Sequence, residues 1–145
     1  MNRRRAIAVL ALLGVLDSLY LLLPKLGLIS SLSCSVSIRC DLVNESSYAY
    51  LSGVPVAAIG VAGYAGLFVL ALVGLQPRWL EDRRPDQLLA VLSGFALLFS
   101  LYLTYAEVVV LHAICQWCVV SQLIILAMFV LSLMGLRAQR RVDAV

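Results

Sequence analysis

The sequence predicts an all-α, polytopic membrane protein built as a bundle of four transmembrane helices, and three observations carry that expectation. Of its 145 residues 63% are hydrophobic and only 13% charged, with a mean hydropathy of +1.00, outside the range of soluble domains. Four apolar segments, about 6–23, 54–75, 88–111 and 115–136, are each long enough, at ~1.5 Å rise per residue, to cross a hydrocarbon core of about 30 Å. The basic residues, finally, gather on one side of those segments, as they do in multi-pass proteins. A chain this short fits a single membrane domain, 1–145.

The first span follows Arg3, Arg4 and Arg5. A basic start before an apolar run also suits a signal peptide, but no small-residue cleavage site follows Leu23 cleanly, so the segment is expected to stay as a span. Residues 31–53 form the longest polar segment. Within them a short amphipathic helix is expected around Asp41 to Leu51, setting Leu42, Val43, Tyr48 and Leu51 against Asp41, Asn44 and Glu45 on the membrane surface. Gly53 and Pro55 mark the start of the second span, with Pro55 tolerated in a first helical turn. Residues 76–86, charged and holding two prolines, read as a plain connector. The third span carries Glu107 and ends in a short turn that His112 is expected to cap. The fourth opens on the stretch ICQWCVV, residues 114–120.

Arg78, Arg83 and Arg84 lie between spans two and three, and Arg137, Arg140 and Arg141 follow span four. With the N-terminal arginines these make nine of the 11 basic residues on one side; only Lys25 and Arg39 fall on the other. Both termini are therefore expected in the cytoplasm. The net charge of +3 reflects topology rather than a nucleic-acid surface.

That orientation puts all four cysteines outside the cytoplasm, where disulfides persist. Cys34 and Cys40 fall after the first span, Cys115 and Cys118 at the front of the fourth. Four cysteines allow three pairings, of which the sequence-local one joins Cys34 to Cys40 and Cys115 to Cys118. Residues three apart share a helix face, and the positive end of a helix dipole stabilises a thiolate at Cys115 and lowers its pKa. As an inert staple a C-x-x-C closes too small a loop to stabilise much. Zinc is disfavoured by the C-x5-C spacing of the first pair and by His112 being the sole histidine, so no metal is expected.

Two ionisable residues fall inside spans, where they normally face the bundle interior. Glu107, eight residues before Cys115, is expected about two turns below the outer surface, either serving a bound ligand or pairing with the Tyr102 or Tyr105 hydroxyl. Asp17 is expected to serve helix packing beside Ser18 and Tyr20. Two dithiol pairs on one membrane face need an electron acceptor that lives in lipid, and a quinone meets that need. Neither a dinucleotide glycine pattern nor a haem C-x-x-C-H or flavin signature is present, so the acceptor is expected to diffuse rather than be tightly held.

The ordered set Cys34-x5-Cys40-Asp41-x-Val43-x-x-Ser46-x-Tyr48-Ala49-x-x-x-Gly53-x-Pro55, then Ser100-Leu101-Tyr102-Leu103-Thr104-Tyr105-x-Glu107, then Cys115-x-x-Cys118, resembles the vitamin K epoxide reductase family in its bacterial form. The resemblance spans nearly the whole chain. It implies a four-helix bundle around a quinone pocket in a bacterial plasma membrane, with menaquinone or ubiquinone as diffusing acceptor. It also implies the electron path: a reduced thioredoxin-fold partner of the DsbA-like type attacks Cys34, Cys40 exchanges with Cys115, and Cys118 faces the quinone. Ser46 and Tyr48 match residues of the family at the pocket, and Glu107 lies beneath the helix-front pair. Animal members carry Thr-Tyr soon after the C-x-x-C where this chain has Ser121-Gln122, so epoxide reduction is not carried over. Many bacterial members carry a fused thioredoxin-like domain; here the partner is expected to be a separate protein.

Two rivals remain at this level. The other four-span disulfide-forming family places its C-x-x-C in the first outer loop, the reverse of the order here. A non-enzymatic scaffold or transporter subunit with structural disulfides explains the spans but not a C-x-x-C at a helix front above Glu107.

Overall fold

A computed structural model describes residues 2–30, 42 and 45–145. Its main elements are four long helices: α1 (Asn2–Leu22), α2 (Val56–Gly74), α3 (Arg84–Tyr105) and α4 (Gln116–Asp143). Each is long and apolar enough to cross a membrane, so the chain is a multi-pass, all-α membrane protein. The apolar segments mark these helices, but α1, α3 and α4 run beyond them, α4 as far as Asp143. Hydropathy reports the thickness of the hydrocarbon, whereas a helix can continue through the headgroup layer on arginine side chains whose heads reach water.

Local chemistry sets the helix starts. Pro55 is the N-cap of α2 and Pro85 lies in the first turn of α3, where a missing N–H costs nothing. Cys115 caps α4. After α1 a 3-10 turn, Leu23–Leu26, closes on Gly27 at φ +76°. The expected surface helix over 41–51 is only partly formed. Leu42 and Glu45 have helical backbone, but Ser47–Ala49 is a 3-10 turn, and strand β1 (Tyr50–Leu51) pairs antiparallel with β2 (Val54–Pro55). Ser52 and Gly53, at φ +52° and +84°, make the two-residue hairpin loop that takes the chain into α2.

Small residues decide how the helices approach. A Cβ on Gly14 of α1 would collide with the Tyr64 ring of α2, and one on Gly60 would come within 2.7 Å of Ser18 Oγ. Gly14 and Ser18 are thus set against Gly60 and Tyr64 at matched four-residue spacing, the small-residue packing by which apolar helices associate in lipid. On the other side of the bundle, Gly94 of α3 admits the Phe129 ring of α4. α1 packs on both α2 and α4, and α3 lies mainly along α4. The α2–α3 seam is the thinner contact, and beyond Gly63 and Gly66 of α2 there is open space.

At the end of the bundle opposite Cys115, the connector proves to be more than a linker. The Arg4 guanidinium is buried and meets both carboxylate oxygens of Asp86, at 3.2 and 3.0 Å. It also donates to the backbone carbonyls of Gly74, Trp79 (2.9 Å) and Asp82 (3.1 Å). One arginine thereby joins α1 to the end of α2, the connector and the start of α3.

Candidate active site

Cys115 and Cys118 lie at the front of α4, where the last turn of α3 folds back onto them. The chain leaves α3 through a π-helical turn, Ala106–Val110, with Leu111 N–H closing on the Ala106 carbonyl at 2.9 Å. His112 then adopts φ +50°, and Ala113 N–H bonds the Glu107 carbonyl at 3.0 Å. The wider π turn and the reversal bring Glu107 level with Cys115 rather than two turns beneath it. Its Oε2 accepts the Cys115 N–H at 3.3 Å, and its carboxylate also hydrogen-bonds the Cys118 side chain. Tyr102 and Tyr105, the alternative partners, point outward and are 55% and 60% exposed. His112 is exposed in the turn.

Both thiols are free, and they occupy different surroundings. Cys115 is completely buried, packed with Leu21 of α1, Ala57 of α2 and Ala113. It precedes the span, and the Cys118 side chain hydrogen-bonded to it, with the Cys118 N–H 3.4 Å from its Sγ, holds its thiol below the usual cysteine range against the opposing effect of burial. Cys118, one turn on, faces a cavity.

That cavity has a volume of about 440 Å³, lies between α2 and α3, and has a largely apolar wall. Ala57, Gly60 and Gly63 of α2 and Ala96, Phe99 and Leu103 of α3 form much of it. Among its polar groups, Cys118 and Glu107 stand at the cysteine end and Ser121 one turn further along α4, against Tyr64 of α2, while Ser18, Ser100 and Thr104 also border the wall. The Tyr64 hydroxyl donates to the Ser121 carbonyl at 2.9 Å and pairs with Ser121 Oγ at 2.8 Å. An apolar slot with a few convergent polar groups is the usual form of a small-molecule site.

The loop before α2 covers one side of this cavity. Tyr48 and Ala49, in the 3-10 turn, contribute to its wall, while Ser46 stands at the head of that turn with its carbonyl accepting the Ala49 N–H at 3.0 Å. Lys25, noted in the sequence only for its charge, holds the turn from the end of α1. Its Nζ donates to the Ala49 carbonyl at 3.3 Å and lies 4.2 Å from the centre of the Tyr50 ring. Cys34 and Cys40 lie outside the described residues. Among the described residues no cluster of His, Cys, Asp or Glu could hold a metal ion.

Sequence reading missed the Tyr64–Ser121 bridge and the contact between the Thr104 hydroxyl and Gln122. The signal was present but weak: a tyrosine four residues after Gly60 in an otherwise apolar helix, and a Ser-Gln pair three residues after the second cysteine.

Compared with known protein families, residues 5–133 match the vitamin K epoxide reductase family, all but the first four and last twelve residues of the chain. The chain belongs to that family. Membership in the vitamin K epoxide reductase family makes it a membrane oxidoreductase, of a family that works by thiol–disulfide and quinone chemistry and pairs with thioredoxin-like redox partners. The ordered cysteine, serine and glutamate motifs were therefore a sound guide to the family.

Proposed function

We propose that this protein is a thiol:quinone oxidoreductase of the bacterial plasma membrane that reoxidises an extracytoplasmic, DsbA-like thioredoxin-fold partner. The observation that supports it most is the division of labour at the helix front: Cys118 borders an apolar cavity while Cys115 is closed off behind it.

In this reading a thiolate of the reduced partner attacks Cys34 of a Cys34–Cys40 disulfide. Freed Cys40 then attacks Cys115 of the second disulfide, and Cys118 leaves as a thiolate. The partner's second thiol resolves the mixed disulfide, Cys34 recaptures Cys40, and Cys115 is released reduced. With quinone against Cys118, the Cys115 sulfur bonds to the Cys118 sulfur and two electrons pass to the ring. Two S–H protons become the two O–H protons of the quinol.

The residues present suit such a substrate. The apolar wall accepts a ring and the start of a lipid tail, while Glu107 touches the Cys118 thiol and can pass its proton to the nearer ring oxygen. Tyr48 closes the outer side of the slot, and Ser46 sets the turn that carries it.

In the Cys40→Ala variant the Cys34 thiolate is expected to attack the disulfide of the oxidised partner, releasing one partner thiolate, and, with no Cys40 to resolve it, to accumulate a mixed disulfide visible on a non-reducing gel. An inert scaffold would form none. Glu107→Gln keeps an acceptor for the Cys115 N–H but cannot carry a proton. It is expected to slow quinol formation by about 10²-fold. An unchanged rate would remove Glu107 from the proton path.

A further inference from the structure

Asp17 is buried, only 7% exposed, and among the described residues neither of its carboxylate oxygens has a hydrogen-bond partner. Its place on α1 is well defined. Gly14, three residues earlier, meets the Tyr64 ring, and Leu21, four residues later, packs in the cluster that contains Cys115. The carboxyl therefore lies along α1 between the level of the Tyr64 ring and that of the helix-front cysteines. Neighbouring Ser18 forms part of the cavity wall.

Packing alone gives no reason for this residue, since a buried polar group without a partner destabilises the bundle and a leucine would fill the position without that cost. Ionisable side chains buried in membrane-spanning helices are typical of proton paths, and this carboxyl is free to carry a proton. The receiving groups are close at hand. Ser121 follows Cys118 by three residues, roughly 4.5 Å along the helix axis, which is the scale of the separation between the opposite oxygens of a six-membered dione. A ring with one oxygen at Cys118 and Glu107 directs the other towards Ser121 and Tyr64, all four of which border the cavity.

We propose that Asp17 supplies the proton for the far oxygen of the quinone, acting through the Tyr64 and Ser121 hydroxyls. The inference rests on the quinone reading of the cavity. Asp17 gives its proton to the Tyr64 hydroxyl, directly after side-chain rotation or through one water; Tyr64, turning its own O–H from the Ser121 carbonyl to Ser121 Oγ, passes that proton on, and Ser121 passes its own to the ring oxygen. Each O–H bond broken along this line is replaced by one formed. The proton shed by Cys115 returns Asp17 to the acid. The Cys118 proton reaches the near oxygen through Glu107, the two electrons come from the Cys115 and Cys118 sulfurs, and dithiol plus quinone becomes disulfide plus quinol with no other reactant. Asp17 touches neither ring nor sulfur and is a positioning residue.

The test is a single turnover of the full-length, pre-reduced protein with a decyl-substituted benzoquinone, followed by quinol absorbance. Asp17→Asn, which keeps the shape of the side chain, is expected to slow quinol formation by about 10²-fold and to change the solvent isotope effect. Its dithiol should still react with oxidised glutathione at the wild-type rate. Tyr64→Phe should cause a similar loss and the double variant no further one, because both act in one line. Asp17→Glu should restore much of the rate. Wild-type quinol formation in Asp17→Asn, an equal loss in the glutathione reaction, or additive losses in the double variant would each overturn the proposal. If the wild-type protein itself fails to reduce the quinone, the reading of the cavity fails instead, which keeps the two apart.

Discussion

Cys118→Ala is expected to abolish quinone reduction, taking the rate to the uncatalysed background. The sulfur on the cavity wall is the one placed to pass electrons to a bound ring, and its neighbour cannot replace it, since Cys115 is fully buried behind the wall. Cys115→Ala should be equally inactive, because no disulfide can then close as the electrons leave. The two variants should nevertheless differ on a non-reducing gel. With Cys118 absent, the Cys115 thiolate can still attack the Cys34–Cys40 disulfide at Cys40 and stay joined to it, releasing Cys34 as a thiolate; with Cys115 absent, that crosslink cannot form. Quinol absorbance and the gel together check the pair. Quinone reduction surviving Cys118→Ala would place the reaction somewhere else.

The largest effect on stability is expected at the opposite end of the bundle. Arg4→Ala should destabilise the protein by roughly 3–5 kcal/mol, the usual consequence of removing one partner of a buried ion pair. It would leave the Asp86 carboxylate buried without its cation, and it would strip the carbonyls of Gly74, Trp79 and Asp82 of their donor. Space is short around that carboxylate, since even a Cβ on Gly135 of α4 would lie 3.4 Å from it. Thermal unfolding in a detergent micelle measures the loss. Arg4→Leu combined with Asp86→Leu should recover much of it, because no lone charge then stays buried. A melting temperature unchanged in Arg4→Ala would show that the arginine is not the link between α1 and the connector. Neither outcome bears on Cys115 and Cys118, which lie at the far end of the bundle.

The spans were legible because a membrane imposes length and composition on any helix that crosses it, and both can be counted along the chain. The ends of the helices were not legible, since they are set by interfacial arginines and local caps rather than by hydrocarbon. The surface helix expected over 41–51 failed in its second half for a local reason: Ser52 and Gly53 form a tight hairpin loop, and Tyr50 and Leu51 are drawn into pairing with Pro55 and Val54. Glu107 is the clearest case at the site. Eight residues of regular helix would separate it from Cys115 by two turns, but a π turn followed by a reversal puts its carboxylate against the Cys115 N–H.

By itself, then, the sequence determined the membrane class, the four spans, the ordered motifs of the family and the helix-front position of Cys115 and Cys118, all of which follow from composition, period and short spacing. Only the tertiary structure decided that Cys118 borders the cavity while Cys115 does not, that Glu107 and the Tyr64–Ser121 bridge join that cavity at two levels, and that Arg4 holds the far end. The physical reason is that these are contacts between helices. They depend on where small residues such as Gly14, Gly60 and Gly94 let backbones approach, and that is a property of pairs of surfaces which no single stretch of chain contains.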